Sequence, residues 1–342
     1  MRSSGFLHRC RMVGVALMAG ALPLVMGLST PAFASTRAST SHHTWEVTVG
    51  VQTSNGFISG MIFTPSEIFV KRGDTIVWHV ASQEIHTVAF GEPPADTDDE
   101  SAEGIPDPLD ATFEDVIEQF ATPAGGHSFT GSGFYNSGVM TTVPEASGFP
   151  QAIKRYWLTI NAPVGTYNFY CLVHGPMMSQ VVHVIPNGAE YPFTQAQYNA
   201  QASQQRAAVF AQGFAAASQT ERNLPPHTVY AGASVDTGQS DVMRFIRGNT
   251  TIRAGQSVTF INVTPDPHTV TIGEEQGTLL PYGNFHNVRL GQNVSSGLFG
   301  AAFTGFGLPT SVTFTFTQPG VYHFFCMFHD YEGMVGTITV TD

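Results

Sequence analysis

Near its carboxyl end the chain reads Gly320-Val-Tyr-His-Phe-Phe-Cys326-Met-Phe-His329. A turn-forming glycine followed by alternating hydrophobic residues is typical of a β-strand with one buried face. The chain carries a second copy of this run, Gly165-Thr-Tyr-Asn-Phe-Tyr-Cys171-Leu-Val-His174, in which glycine again precedes cysteine by six residues. A strand, a cysteine and a histidine three residues later therefore occur together twice.

A second pair of matching segments lies upstream of these runs. Residues 73–88 match residues 255–270, and each segment begins with a turn glycine and continues with alternating β-branched residues. Each also places a histidine, His86 or His268, thirteen residues after the glycine. Self-similarity over whole strand-and-loop units indicates tandem copies of one domain. The sequence therefore predicts an all-β chain built of two β-sandwiches.

A helix is predicted between the two copies. Residues 187–225 lose the strand pattern and become rich in alanine and glutamine, which favours a helix with Thr194 as its N-cap. We expect this helix to join the sandwiches. It should pack on a domain surface through Tyr198, Phe210 and Phe214.

The two predicted domains cover residues 45–186 and 226–342. The first is longer because of an acidic, proline-containing insertion at about residues 91–125. Its run of like charges is typical of a solvated surface loop, with one short helix near residues 111–120. A docking surface for a basic partner is the alternative function of this insertion.

The first 34 residues have the layout of a secretory signal peptide. Basic residues precede an almost wholly apolar run from Met12 to Leu28, and Ala32-Phe33-Ala34 offers small residues for cleavage. A retained membrane anchor is the alternative, but the run is short for a bilayer span. We therefore expect an exported protein, periplasmic, extracellular or at the cell surface, with no integral membrane segment once residues 1–34 are removed.

The charge balance argues against one class of function. The chain has 14 basic and 26 acidic side chains and a formal net charge of −12, whereas nucleic-acid binding requires a basic face. We therefore expect no nucleic-acid partner. The acidic balance fits a cationic or neutral protein partner.

Two cysteines remain after removal of the signal peptide, and each belongs to a Cys-x-x-His motif. A disulfide between Cys171 and Cys326 is one interpretation for an exported protein. We favour two separate thiolate ligands, because each cysteine lies in its own copy of the repeat.

Each motif, with the upstream histidine and a following methionine, offers the donor set of type 1 copper. That set is two imidazoles, a thiolate and a weak thioether. The predicted ligands are His86, Cys171, His174 and Met178 in the first domain, and His268, Cys326, His329 and Met334 in the second.

The methionine of the first domain is ambiguous in the sequence, since Met177 and Met178 are adjacent. Residues after the axial ligand should begin a strand whose alternate side chains face the core. Counting four and six residues on from Met178 gives two valines, whereas counting from Met177 gives a valine and the polar His183. We therefore favour Met178, with Met177 as the alternative.

Zinc is the alternative metal, because thiolate and imidazole ligands also suit it. A thioether favours copper, whose two oxidation states can then share one geometry. We therefore expect two type 1 copper ions, one per domain.

With these motifs, both domains resemble the cupredoxins, the blue copper proteins. The second domain has the cysteine-to-methionine spacing of plastocyanin and pseudoazurin, and the first has a shorter ligand loop, closer to amicyanin. The resemblance implies two Greek-key β-sandwiches with copper near one end, joined here by the helical linker. It also implies that His174 and His329 reach the domain surface as electron ports, and that unidentified redox partner proteins exchange electrons with the chain.

Copper enzymes built on the same fold are an alternative. Two-domain nitrite reductases carry a histidine directly before the cysteine ligand, where this chain has Tyr170 and Phe325. Multicopper oxidases carry several His-x-His pairs, and this sequence has none. We therefore expect an electron carrier without catalytic residues. An oxidase or nitrite-reductase-like enzyme with an interdomain site, and an extracytoplasmic copper-binding or delivery protein, remain the alternatives.

Overall fold

The computed structural model describes residues 42–93, 120–235, 237–301, 304 and 307–342. The predicted signal peptide (1–34) lies outside the described residues, as do residues 94–119 of the predicted acidic insertion, with most of its expected short helix. In the described part of the chain, no helix has the length and hydropathy needed to cross a bilayer.

The first β-sandwich consists of two sheets. Its strands are β1 (Thr44–Gln52), β2 (Ile58–Thr64), β3 (Glu67–Lys71), β4 (Thr75–Val80), β5 (Ala89–Phe90), β6 (Ser128–Phe129), β7 (Tyr135–Asn136), β8 (Arg155–Ile160), β9 (Gly165–Cys171) and β10 (Gly175–Ile185). One sheet has the order β2-β1-β4-β8-β6 and the other has the order β3-β10-β9-β5-β7. Trp78 of β4 and Phe169 of β9 pack together between the sheets, with ring centroids 5.5 Å apart.

The second β-sandwich repeats this arrangement. Its segment of the chain forms β11 (Thr228–Ala231), β12 (Ser240–Val242), β13 (Phe245–Ile246), β14 (Asn249–Arg253), β15 (Ser257–Ile261), β16 (Thr271–Ile272), β17 (Val294–Ser295), β18 (Ser311–Thr315), β19 (Gly320–Phe325) and β20 (Val335–Thr341). The sheets have the orders β13-β11-β15-β18 and β14-β20-β19-β16-β17. Phe260 of β15 and Phe324 of β19 are the equivalent core pair, with centroids 5.1 Å apart.

Alternating burial along the repeated strands explains why these segments form sandwiches. In β15, Val258 and Phe260 are buried and the residues beside them are partly exposed. Burial of each large hydrophobic side chain stabilises the fold by about 1.5–3 kcal/mol. Each sandwich therefore has its own core, and each core includes one cysteine, Cys171 or Cys326.

A helix, α1 (Gln195–Arg222), connects the sandwiches. Thr194 is its N-cap, as predicted: the Thr194 hydroxyl accepts the N–H of Gln197 at 3.3 Å, and the Gln197 side chain accepts the N–H of Thr194 at 2.8 Å. This reciprocal pair is a capping box. Tyr198 is buried in the first core, and Phe214 stacks on Phe57 although half of its surface is exposed.

The two sandwiches also share a sheet. Strand β12 pairs antiparallel with β2, with Ser59 opposite Asp241, and makes a six-stranded sheet of order β12-β2-β1-β4-β8-β6. Helix α1 lies across this pairing, where the Ser240 hydroxyl donates to the carbonyl of Val209 at 2.8 Å. Residues of the predicted second domain therefore complete a sheet of the first.

The predicted fold class, all-β with two sandwiches and a helical linker, is confirmed by this arrangement. The domain boundaries, 45–186 and 226–342, remain predictions.

Candidate metal centres

Three predicted ligands of the first domain meet at one end of the first sandwich. His86 lies in the loop after β4, Cys171 ends β9, and His174 lies in the turn between β9 and β10. The Nδ1 atoms of His86 and His174 are 3.2 Å apart, and Cys171 Sγ lies 3.4 Å from His174 Nδ1. His86 and Cys171 are fully buried.

The second sandwich repeats this cluster with His268, Cys326 and His329. The two Nδ1 atoms are again 3.2 Å apart, and Cys326 Sγ lies 3.7 Å from His268 Nδ1 and 3.5 Å from His329 Nδ1. In each cluster all three donor atoms lie within 4.8 Å of one another. Both cysteines are free, as separate thiolate ligands require. The structure brings the six residues together in two groups, and their binding of copper stays a prediction.

The fourth predicted ligand of each site is a methionine. Met178 and Met334 are fully buried in the same cores as Cys171 and Cys326, respectively. The side chain of Met177 packs instead against the turn at Gly238, where an added Cβ atom would lie 2.5 Å from the Met177 Sδ. Burial beside the cysteine therefore favours Met178 over Met177 as the axial ligand.

A threonine after each first histidine holds the thiolate, and sequence reasoning missed both. The backbone N–H of Thr87 donates to Cys171 Sγ at 3.3 Å, and that of Thr269 donates to Cys326 Sγ at 3.4 Å. Each threonine hydroxyl accepts the N–H of the residue after the cysteine, at 2.8 and 2.9 Å. Such contacts orient a metal ligand and tune its charge. The His-Thr-Val triplet in both copies is the sequence signal for this role.

A glycine packs against the first histidine of each cluster. A Cβ atom at Gly50 would lie 2.1 Å from His86 Nε2, and a Cβ atom at Gly232 would lie 2.9 Å from His268 Nε2. Both glycines have left-handed φ angles, +62° and +79°, which favour glycine. Sequence reasoning missed them as well, although each precedes its histidine by 36 residues.

The ionisation of the first cluster is set mainly by its own members. Burial raises the pKa of the Cys171 thiol, but the charge of His174 and hydrogen bonds from both histidines hold this pKa well below its usual value. Burial lowers the pKa of His174, but the charge and hydrogen bond of Cys171, with the charges of Asp266 and Glu84, raise it to about 9. Both shifts favour a thiolate–imidazolium pair of Cys171 and His174 when no metal ion is bound.

The loop histidine of the second cluster faces the first sandwich. His329 Nε2 lies 3.3 Å from a carboxylate oxygen of Glu84, which belongs to the first sandwich. Only 3% of His329 is exposed, so the expected electron port is covered. His174 is half-buried, and the charge of Asp266, in the second sandwich, contributes to its raised pKa. His329 therefore reaches the edge of its own sandwich and meets the other sandwich there.

Four buried carboxyl groups lie where the sandwiches meet: Glu84, Asp241, Asp266 and Glu332. Burial raises the pKa of Glu84, but the hydrogen bond and charge of His329 outweigh burial and hold this pKa at about 2. Burial and the charge of Asp266 raise the pKa of Asp241, and burial and the charge of Glu84 raise that of Glu332. Glu84 and Asp266 each lie two positions before the first histidine of their own cluster, and this repeated acid is their sequence signal.

The fold and the donor sets define a class of protein. A thiolate, two imidazoles and a buried thioether, held at one end of a β-sandwich, fit copper better than zinc, because the sulfur ligands are soft. The hydrogen bonds to each cysteine and the glycine against each first histidine hold these donors in place. Two such sandwiches make this a protein of the cupredoxin type.

Comparisons with known proteins agree with this class. Residues 231–341 match the model of the family described as "Copper binding proteins, plastocyanin/azurin family". A plastocyanin of Solanum tuberosum is 33% identical over 104 residues, which are 30% of this chain and 93% of the relative. The chain therefore belongs to the plastocyanin/azurin family of copper-binding proteins, and the cupredoxin resemblance is confirmed.

Solved structures of cupredoxins are also similar to part of the chain. A mutant fern plastocyanin is 21% identical, with a TM-score of 0.22, over 33% of this chain and 99% of its own. A purple cupredoxin from Nitrosopumilus maritimus is 21% identical, with a TM-score of 0.22, over 33% of this chain and 98% of its own.

Proposed function

We propose that this chain is an exported electron carrier with a type 1 copper ion in each β-sandwich. The proposed ligands are His86, Cys171, His174 and Met178 in the first site, and His268, Cys326, His329 and Met334 in the second. The domain boundaries given above, and the removal of residues 1–34 on export, belong to this proposal.

One observation carries the proposal: the same three donor atoms lie within 4.8 Å of one another in both sandwiches. Copper bound there would supply one-electron chemistry, alternating between Cu(I) and Cu(II). The protein's part is to hold the donors so that both oxidation states meet the same geometry. Burial of the cysteines and the N–H bonds from Thr87 and Thr269 support that rigidity.

The family supports a carrier more than an enzyme, since its matched relative is a plastocyanin. We propose redox proteins as partners and leave their identity open. The net charge of −12 favours a partner with a cationic or neutral docking face.

The test is metal analysis combined with optical and electron paramagnetic resonance spectra of the protein without residues 1–34. We expect two copper ions per chain, both with the intense thiolate-to-copper absorption and the narrow hyperfine splitting of type 1 sites. Cys171→Ser and Cys326→Ser are matched variants, and each should remove one of the two signals. A type 2 copper signal would support an enzyme, zinc in either site would contradict the metal assignment, and rapid loss of copper to a chelator would favour delivery.

A further inference from the structure

The contact between Glu84 and His329 joins the two sites through the protein. His329 directs Nδ1 toward Cys326 and His268, so that its Nε2 atom faces the first sandwich, where Glu84 lies 3.3 Å away. The side chains of His329 and Glu84 are only 4% and 6% exposed. The other Glu84 oxygen accepts the backbone N–H of Ile85 at 3.0 Å, which fixes the carboxylate.

Asp266 of the second sandwich occupies the position equivalent to Glu84. It lies two residues before His268, as Glu84 lies two residues before His86. Asp266 is buried, and burial and the charge of Glu84 raise its pKa. Glu84 is the acid that contacts a loop histidine directly.

The backbone pairing at the interface is symmetric. Strands β2 and β12 pair around Ser59 and Asp241, which are equivalent positions of the repeat, so the contact is isologous as in a two-fold dimer. Gln239 Nε2 donates to the Met177 carbonyl at 3.0 Å, and Gln52 Nε2 donates to Glu332 at 2.5 Å. The start of each sandwich thus covers the ligand loop of the other.

Arg244 strengthens the same interface. It follows β12 in the second sandwich, and its guanidinium donates to the Gly56 carbonyl of the first sandwich at 3.0 Å. Glu84 is therefore placed beside His329 by fixed backbone pairing and by side chains that bond across the joint.

From this arrangement we infer that Glu84 is a positioning residue for the second metal site, so that the first sandwich tunes the metal site of the second. This inference rests on the proposed function. A site of one thiolate and two neutral imidazoles carries one positive charge with Cu(II) and none with Cu(I). A buried carboxylate at the ligand N–H stabilises the oxidised state more.

The test measures each site alone. Cys171→Ser leaves the second site to be measured, and Cys326→Ser leaves the first. In the Cys171→Ser background, Glu84→Gln should raise the reduction potential of the second site and alter its resonance spectrum, because a negative charge beside His329 is lost. In the Cys326→Ser background the same substitution should shift the potential of the first site less, although Glu84 lies two residues from His86.

Two further variants complete the test. Glu84→Asp keeps the negative charge, so the reduction potential of the second site should lie closer to the original value than in Glu84→Gln. A purely structural role for Glu84 would not require this difference. Glu67→Gln removes a carboxylate that is 57% exposed and bonded to His183, and it should move neither potential.

The outcomes separate the two levels of proposal. Absence of type 1 copper in the single-site backgrounds would overturn the proposed function before Glu84 is changed. If both type 1 sites are normal but Glu84→Gln does not shift the reduction potential of the second site, this inference alone is overturned. An equal or larger shift in the reduction potential of the first site would also overturn it. Circular dichroism of each variant identifies any that fails to fold, and Glu84→Asp then decides the question.

Discussion

At the scale of single residues, the geometry of each proposed metal site depends on small groups that touch the proposed ligands. Gly50 leaves room for the His86 ring, and the Nε2 atom of this ring is hydrogen-bonded to Ser82 Oγ at 2.8 Å. Thr87 then directs its N–H at the cysteine sulfur. These neighbours fix the ligand orientations before a metal binds, which is how outer contacts tune a metal site.

Gly50→Ala should disturb the first site. The new Cβ atom would lie 2.1 Å from His86 Nε2, so the ring must move, and the φ angle of +62° adds backbone strain of about 1–2 kcal/mol. Gly126→Ala is the matched control, since φ is +67° there and nothing lies within 4 Å of the added atom. Both variants should lose stability, but only Gly50→Ala should change the optical spectrum of the first site. An unchanged spectrum would show that Gly50 does not constrain His86.

Copper binding at the first site should depend on pH. The pKa of His174 is raised to about 9, because the charge and hydrogen bond of Cys171 outweigh the effect of burial. His174 must lose its proton before its Nδ1 atom can bind a metal ion. Below pH 9 the affinity should therefore rise by up to about tenfold per pH unit, and it should level off above that pH.

The measurement is competition with a chelator of known affinity in the Cys326→Ser variant, at pH values on both sides of 9. The chelator's own pH dependence is measured separately as the control. An affinity that does not change below pH 9 would contradict the imidazolium assignment of His174.

The clustering of the proposed ligand residues was predictable because they recur in short motifs at matched spacing. Cys171 and His174 are three residues apart, and the structure brings His86 to them as the repeat suggested. The contact of Glu84 with His329 was not predictable, because it depends on how one sandwich meets the other and leaves no mark in either motif alone. Its only trace is an acid two positions before both first histidines.

At the scale of elements, helix α1 is as much a part of the interface as a linker. Its buried residues Val209, Gly213 and Ala217 face the pairing of β2 with β12. Sequence predicted the helix and its Thr194 cap, since both are local properties of the chain. Its position over two paired edge strands follows from tertiary packing, and helix propensity does not predict tertiary packing.

Gly213→Val should weaken this packing. A Cβ atom at Gly213 would lie 2.6 Å from Ile58 Cγ2 and 2.7 Å from Ser240 Oγ, so the helix must move away from the joint sheet. Overpacking of this kind costs about 1–3 kcal/mol. Ala215→Val, on the exposed face of the same helix, is the control and should cost less than about 1 kcal/mol. Urea unfolding measures both, and equal losses would contradict tight packing at Gly213.

At the scale of the whole molecule, the chain has the organisation of a two-fold dimer joined into one polypeptide. The shared sheet, helix α1, Arg244 and the Glu84–His329 contact all tie the second sandwich to the first. Domains that share a sheet and bond to each other through side chains are not expected to move as independent units. Unfolding of one sandwich should therefore destabilise the other.

Removal of one metal site should accordingly lower the stability of both sandwiches. A ligand that binds only the folded state stabilises it by about 2.7 kcal/mol at a concentration one hundred times its dissociation constant. In the presence of copper, Cys326→Ser should therefore lower the unfolding temperature of the protein. One cooperative transition should remain, because the first sandwich contributes Glu84 and β2 to the interface with the second sandwich. Calorimetry and circular dichroism measure this, with Cys171→Ser as the matched variant. Separation into two transitions, one of them at the unchanged temperature, would mean that the sandwiches fold independently and that the interface does not couple them.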